Sequence, residues 1–102
     1  MSSVGGMHSY PGNALYCSTK FALEALTFAL AEEIASFGLK ALVVQPGYFR
    51  TEFLANPTAG INSAKPMEVY EGTVVQEARD AIPKYNGKQP GDPKKGAVKM
   101  VS

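Results

Sequence analysis

From residue 14 to residue 37 the chain is apolar at a helical period. Leu23, Leu26, Leu30, Ile34 and Phe37 recur at spacings of three and four, which predicts one face of a helix from Ala14 to about Phe37. Phe21, Ala25 and Phe28 form a second apolar strip, so the helix is expected to be buried on two sides. Gly38 follows the last periodic residue and suits a C′ position of positive φ. The period then changes. Leu39 to Gln45 is short and mostly apolar and stops at Pro46-Gly47, which predicts a buried strand. Its position after a helix and a tight glycine turn makes it parallel.

The flanking segments read as loops and shorter helices. Residues 1–13 are rich in Ser, Gly and Pro, and Pro11-Gly12-Asn13 is a turn signal. Residues 48–65 are irregular and long enough for a lid or binding loop. Pro66 fits the first turn of a second helix, carried by Val69, Tyr70, Thr73, Val74, Glu77 and Ala78 to about Ile82. Pro83 to Gly91 is a further loop. Asp92-Pro93 then forms a cap and first turn for a third helix with Ala97, Val98 and Val101 on its apolar face. One parallel strand needs neighbours on both edges and cover on both faces, which this order of elements does not supply. The pattern therefore predicts an α/β fold that is incomplete on its own, a piece of a larger parallel sheet.

Composition narrows the function classes. At 102 residues, 45% hydrophobic and 19% charged, the chain fits one small globular domain. The net charge of +1 and the absence of a basic stripe argue against a nucleic-acid partner. No stretch is apolar enough to span a membrane, and residues 1–6 do not read as a secretory signal, so a cytoplasmic protein is expected. A lone cysteine, Cys17, and a lone histidine, His8, offer no metal site.

The chemistry concentrates on the first helix. Tyr16 and Lys20 are four apart and share one face. A phenol ordinarily ionises near pH 10, and an adjacent ammonium favours the phenolate, the form that can take a proton from an alcohol. A Tyr-x-x-x-Lys pair alone is weak: roughly 0.4 such pairs arise by chance in this composition, and most are solvated helix pairs. Its surroundings are more specific. Ser2-Ser3-Val4-Gly5-Gly6 lies upstream, with Ser3 thirteen residues before Tyr16. Pro11-Gly12-Asn13-Ala14-Leu15-Tyr16-Cys17-Ser18-Thr19-Lys20-Phe21-Ala22 contains the pair, and Pro46-Gly47-Tyr48-Phe49-Arg50-Thr51 follows the predicted strand.

In these elements, their order and their spacing, the chain resembles the C-terminal part of the short-chain dehydrogenase/reductase family. The Gly-Lys-Gln-Pro-Gly-Asp-Pro run at 87–93 resembles a loop of some members. The resemblance covers nearly the whole chain and implies the C-terminal portion of a Rossmann-like doubly wound parallel sheet, with residues 1–102 as one partial domain. It implies Ser3, Tyr16 and Lys20 as catalytic residues: Tyr16 the general acid/base, Lys20 its electrostatic partner and a ligand of the nicotinamide ribose, Ser3 a donor to the substrate oxygen. Tyr16, Lys20, Pro46, Gly47 and Thr51 are the implied cofactor-binding set, with Gly47 and Thr51 against the nicotinamide and its carboxamide. The implied cofactor is NAD or NADP, and the implied substrate is a small carbonyl compound or alcohol. Residues 52–66 would form a substrate lid, with Phe49, Phe53 and Leu54 as candidates for its wall.

The family's glycine-rich turn, its cofactor-selecting residue, its Asn-Asn-Ala-Gly element and its catalytic asparagine all precede the position of Ser3 and have no counterpart here. The resemblance thus makes Met1 an internal residue of a longer parent, and that parent a homo-oligomer. Two other readings accompany the oxidoreductase. One is a truncated, inactive chain that docks to full-length relatives or has no function. The other is a small α/β binding module unrelated to the family.

Overall fold

The computed structural model describes residues 1–55 and 65–102, which fall into two compact units. The first comprises Met1–Tyr10 and Ala14–Gly47; the second comprises Pro11–Asn13 and Tyr48–Ser102.

The first unit is built on helix α1, Ala14–Ala35. The helix ends two residues before the predicted Phe37: Phe37 and Gly38 donate backbone hydrogen bonds to Ile34 and Ala35, and Gly38 takes φ +72°, as expected at C′. A short 3₁₀ turn, Val4–Gly6, packs on α1 and buries Gly5 and Gly6. The covered face of α1 shares only the half-buried Leu23 and Ile34 with the predicted one. It runs through Cys17, Lys20, Leu23, Glu24, Thr27, Ala31 and Ile34, with Cys17 the one buried apolar side chain among the described residues. Leu26 (68% accessible), Phe28, Leu30 and Phe37 are exposed, so the helix is not buried on two apolar sides within this chain. Nothing among the described residues of this unit is available to cover those strips.

The α/β expectation is overturned. Among the described residues there are three α-helices, two 3₁₀ turns and no strand. Leu39–Gln45 carries no regular structure, and its one backbone bond to another segment among the described residues runs from Ser2 N to Val44 O at 2.8 Å. The described residues therefore form no Rossmann-like parallel sheet. The physical reason is pairing: an apolar run becomes a strand only when neighbours complete its hydrogen-bond ladder, and here none does. The single β-type pairing among the described residues is an isolated parallel bridge between Phe49 and Gly91.

The second unit contains a 3₁₀ turn, Glu68–Tyr70, helix α2, Val74–Tyr85, and helix α3, Pro93–Val101. The helix predicted from Pro66 is split because Gly72 takes φ +72°, which no α-helix accommodates. Thr73 then restarts it as α2, its Oγ1 accepting from Val75 N, while Gln76 Oε1 accepts from Gly72 N. Asp92 caps α3 as its sequence predicts, with Oδ1 accepting from Lys94 N at 2.9 Å and Lys95 N at 3.4 Å. The segment 48–50 is clasped to the 89–91 loop. Gly91 N donates to Tyr48 O, Arg50 N donates to Gly91 O, and Arg50 Nη1 donates to Gln89 O at 2.8 Å. The Tyr48 and Tyr85 rings meet edge to face at 5.5 Å. No helix among the described residues is long and apolar enough to cross a membrane.

Candidate functional site

The first unit brings Ser3, Tyr16 and Lys20 together. Tyr16 and Lys20 lie one turn apart on α1, both half-buried, and Lys20 Nζ sits 5.6 Å from the centre of the Tyr16 ring. That is within cation–π range and keeps a positive charge beside the phenol. Lys20 Nζ also donates a long hydrogen bond, 3.4 Å, to Met1 O. Ser3 caps the Val4–Gly6 turn: its Oγ accepts from Gly5 N at 3.2 Å. Gly5 in turn lies against the Tyr16 ring, since a Cβ built there would stand 3.1 Å from Tyr16 Cε1 and 3.4 Å from Cys17 Sγ. A methyl at position 5 would require the Tyr16 ring or the turn to give by a few tenths of an ångström.

Pro46 and Gly47 close the same unit. They follow Val44, whose carbonyl holds Ser2 N, and Gln45, whose Nε2 donates to Glu24 Oε1 at 2.8 Å. Gly47 is exposed, and a Cβ there would meet nothing within 4 Å, so its backbone is open to a ligand's approach. Thr51 belongs to the second unit, where its Oγ1 accepts from Phe53 N at 3.3 Å. Of the expected wall residues, Phe53 is exposed and Leu54 half-buried. Phe49 is a packing residue instead: its ring lies where a Cβ on Gly91 or Gly96 would stand, 2.7 Å and 2.6 Å from its nearest ring carbons. The greater part of the expected lid, residues 56–64, lies outside the described residues.

The sequence reading passes over Glu24. It lies one turn beyond Lys20 on the face of Tyr16, and it is 6% accessible. The spacing 16, 20, 24 was the available signal, but a single glutamate on a helix ordinarily reads as a solvated residue.

The short chain dehydrogenase family profile matches residues 1–62, and these include Ser3, Tyr16, Lys20, Pro46, Gly47 and Thr51. An uncharacterized oxidoreductase of Schizosaccharomyces pombe is 33% identical over 88% of this chain and 36% of its own length. The oxidoreductase YbbO of Escherichia coli K12 is 42% identical over 66% of this chain and 24% of its own length. Retinol dehydrogenase 16 of Rattus norvegicus is 36% identical over 61% of this chain and 19% of its own length. The chain thus spans about a third or less of the length of these relatives. No solved structure matches it. With the profile covering more than half of the chain, this protein belongs to the short-chain dehydrogenase family.

Proposed function

We propose that this chain is the catalytic part of an NAD(P)-dependent oxidoreductase that interconverts a carbonyl compound and an alcohol. The observation that supports this most is the pairing of the Tyr16 ring with the Lys20 ammonium at 5.6 Å, beside the turn that carries Ser3. The residues present suit the ribose–nicotinamide end of such a cofactor: Lys20 offers a charged donor, Tyr16 a hydroxyl, and Pro46-Gly47 an open backbone. Thr51 joins this set by family resemblance. A nicotinamide cofactor, when bound, supplies or accepts the hydride.

The work left to the chain is proton transfer and charge stabilisation. In reduction, the Tyr16 hydroxyl gives its proton to the substrate oxygen as negative charge builds there; in oxidation it takes that proton back. Lys20 places a positive charge where the phenolate oxygen is left negative, and Coulomb attraction is strong where water is excluded. Ser3 donates a hydrogen bond to the same substrate oxygen and fixes its direction.

Reduction of a panel of ketones and aldehydes by the full-length protein, with NADH and with NADPH, tests the proposal. Turnover with at least one cofactor is expected, falling about 10²–10⁴-fold in Tyr16→Phe. Undiminished turnover in that variant removes the role given to Tyr16.

A second reading has its own observation, the exposed Leu26, Phe28 and Leu30 of α1. A chain that works only when docked on a full-length family member would bind no cofactor alone and would co-elute with that partner in size-exclusion chromatography.

A further inference from the structure

Glu24 is the one buried acid among the described residues, and no step of the reaction above uses it. Its Oε1 accepts from Gln45 Nε2 at 2.8 Å, while its Oε2 and the hydroxyl of Ser2, 5% accessible, are buried without a hydrogen-bond partner. Gly6 lies against both groups: a Cβ there would stand 2.6 Å from Ser2 Oγ, 2.9 Å from Glu24 Oε1 and 3.0 Å from Glu24 Cγ. The carboxyl therefore lies against the Gly6 end of the Ser2–Gly6 turn, whose middle holds Ser3 and the Gly5 that abuts Tyr16. Through Gln45 it also meets the segment leading into Pro46-Gly47.

We propose that Glu24 is a positioning residue for the catalytic set. Its carboxyl ties the Ser2–Gly6 turn and the Gln45–Gly47 segment to the helix carrying Tyr16 and Lys20, and so sets Ser3 against Tyr16. The catalytic half of this statement rests on the oxidoreductase reading. A buried carboxyl with one unpartnered oxygen is a poor device for stability, since an apolar side chain of similar volume is often at least as favourable. It is a better device for orientation, because one directional bond holds the Gln45 segment and a close contact at Gly6 holds the turn.

Cys17 gives a local reporter that needs no chemistry from the site. It is 1% accessible, and its Sγ lies 3.4 Å from the Cβ position of Gly5, so displacement of the turn uncovers it. Native-state alkylation of Cys17, resolved by peptide mass spectrometry on the full-length protein, is compared in Glu24→Leu, Gln45→Leu, Glu24→Gln and Ile34→Ala. Ile34→Ala loosens the other end of the same helix and controls for general destabilisation.

Labelling is expected to rise about tenfold or more in Glu24→Leu and Gln45→Leu over Ile34→Ala at matched thermal stability. It should stay near wild type in Glu24→Gln, whose amide oxygen still accepts from Gln45 and whose NH₂ can donate to Ser2. In turnover, Glu24→Leu is expected to lose about 10²-fold in kcat with cofactor KM nearly unchanged, and Glu24→Gln to recover most of it. Cys17 labelling in Glu24→Leu and Gln45→Leu no faster than in Ile34→Ala overturns the proposal. If labelling behaves as expected but Tyr16→Phe keeps full turnover, the positioning holds and the oxidoreductase reading fails.

Discussion

Helix α1 has twenty-two residues and buries one apolar side chain within its unit, whereas α2 and α3, twelve and nine residues long, each begin at a side-chain cap and sit in a unit clasped by Arg50 and Gly91. The first unit invests its burial in polar groups, Ser2 and Glu24, next to Tyr16 and Lys20. The second buries one polar side chain, Gln89, and otherwise relies on caps, an aromatic pair and a glycine seat for Phe49. The difference teaches where substitutions should act. Changes beside the Tyr16–Lys20 pair should damage chemistry more than folding, and changes in the second unit or at the end of α1 should damage folding more than chemistry.

Four substitutions in the full-length protein sharpen or break that contrast. The largest effect is expected from Lys20→Met, which removes the charge beside Tyr16: kcat should fall about 10²-fold, with the thermal midpoint nearly unchanged. A fall in stability equal to the fall in rate would erase the contrast. Next comes Gly91→Ala in the second unit. The added methyl would stand 2.6 Å from Tyr48 O and 2.7 Å from the Phe49 ring, and chemical denaturation should show a loss of about 1–3 kcal/mol.

A smaller loss, about 1 kcal/mol, is expected from Asp92→Ala, which removes the acceptor for Lys94 N and Lys95 N. Amide exchange should speed up in the first turn of α3 and leave α1 unaffected. Gly38→Ala is predicted to cost a similar or slightly smaller amount, about 1 kcal/mol, for a different reason. No atom lies within 4 Å of the new methyl, so the cost comes only from φ +72°. A Gly38→Asn variant, better suited to that conformation, should lose less.

Features set by a few adjacent residues were legible in the sequence. Asp92-Pro93 announces a helix start because cap and backbone donors are neighbours, and Gly38 announces a helix end because only its own φ is at issue. The spacing of Tyr16 and Lys20 was legible as one helix face, and the two lie one turn apart on α1. What failed was non-local. Leu39–Gln45 has the composition of a strand, yet strand formation depends on partners elsewhere, and here the segment holds one bond to Ser2. The seat of the Phe49 ring was equally unreadable, because nothing nearby in sequence reveals the glycines more than forty residues on that receive it. Glu24 drew no reading because its burial depends on residues distant in sequence, Gly6 and Gln45.

The role proposed for Tyr16, moving a proton to or from the substrate oxygen as a hydride is transferred, is open to isotopic labelling. The experiment uses nicotinamide cofactor deuterated at the transferring carbon, the full-length protein and a ketone it reduces. Deuterium is expected on the carbinol carbon of the alcohol formed by the wild type, with product and label lost together in Tyr16→Phe. Product without deuterium, or the same labelled yield from Tyr16→Phe, would rule that role out.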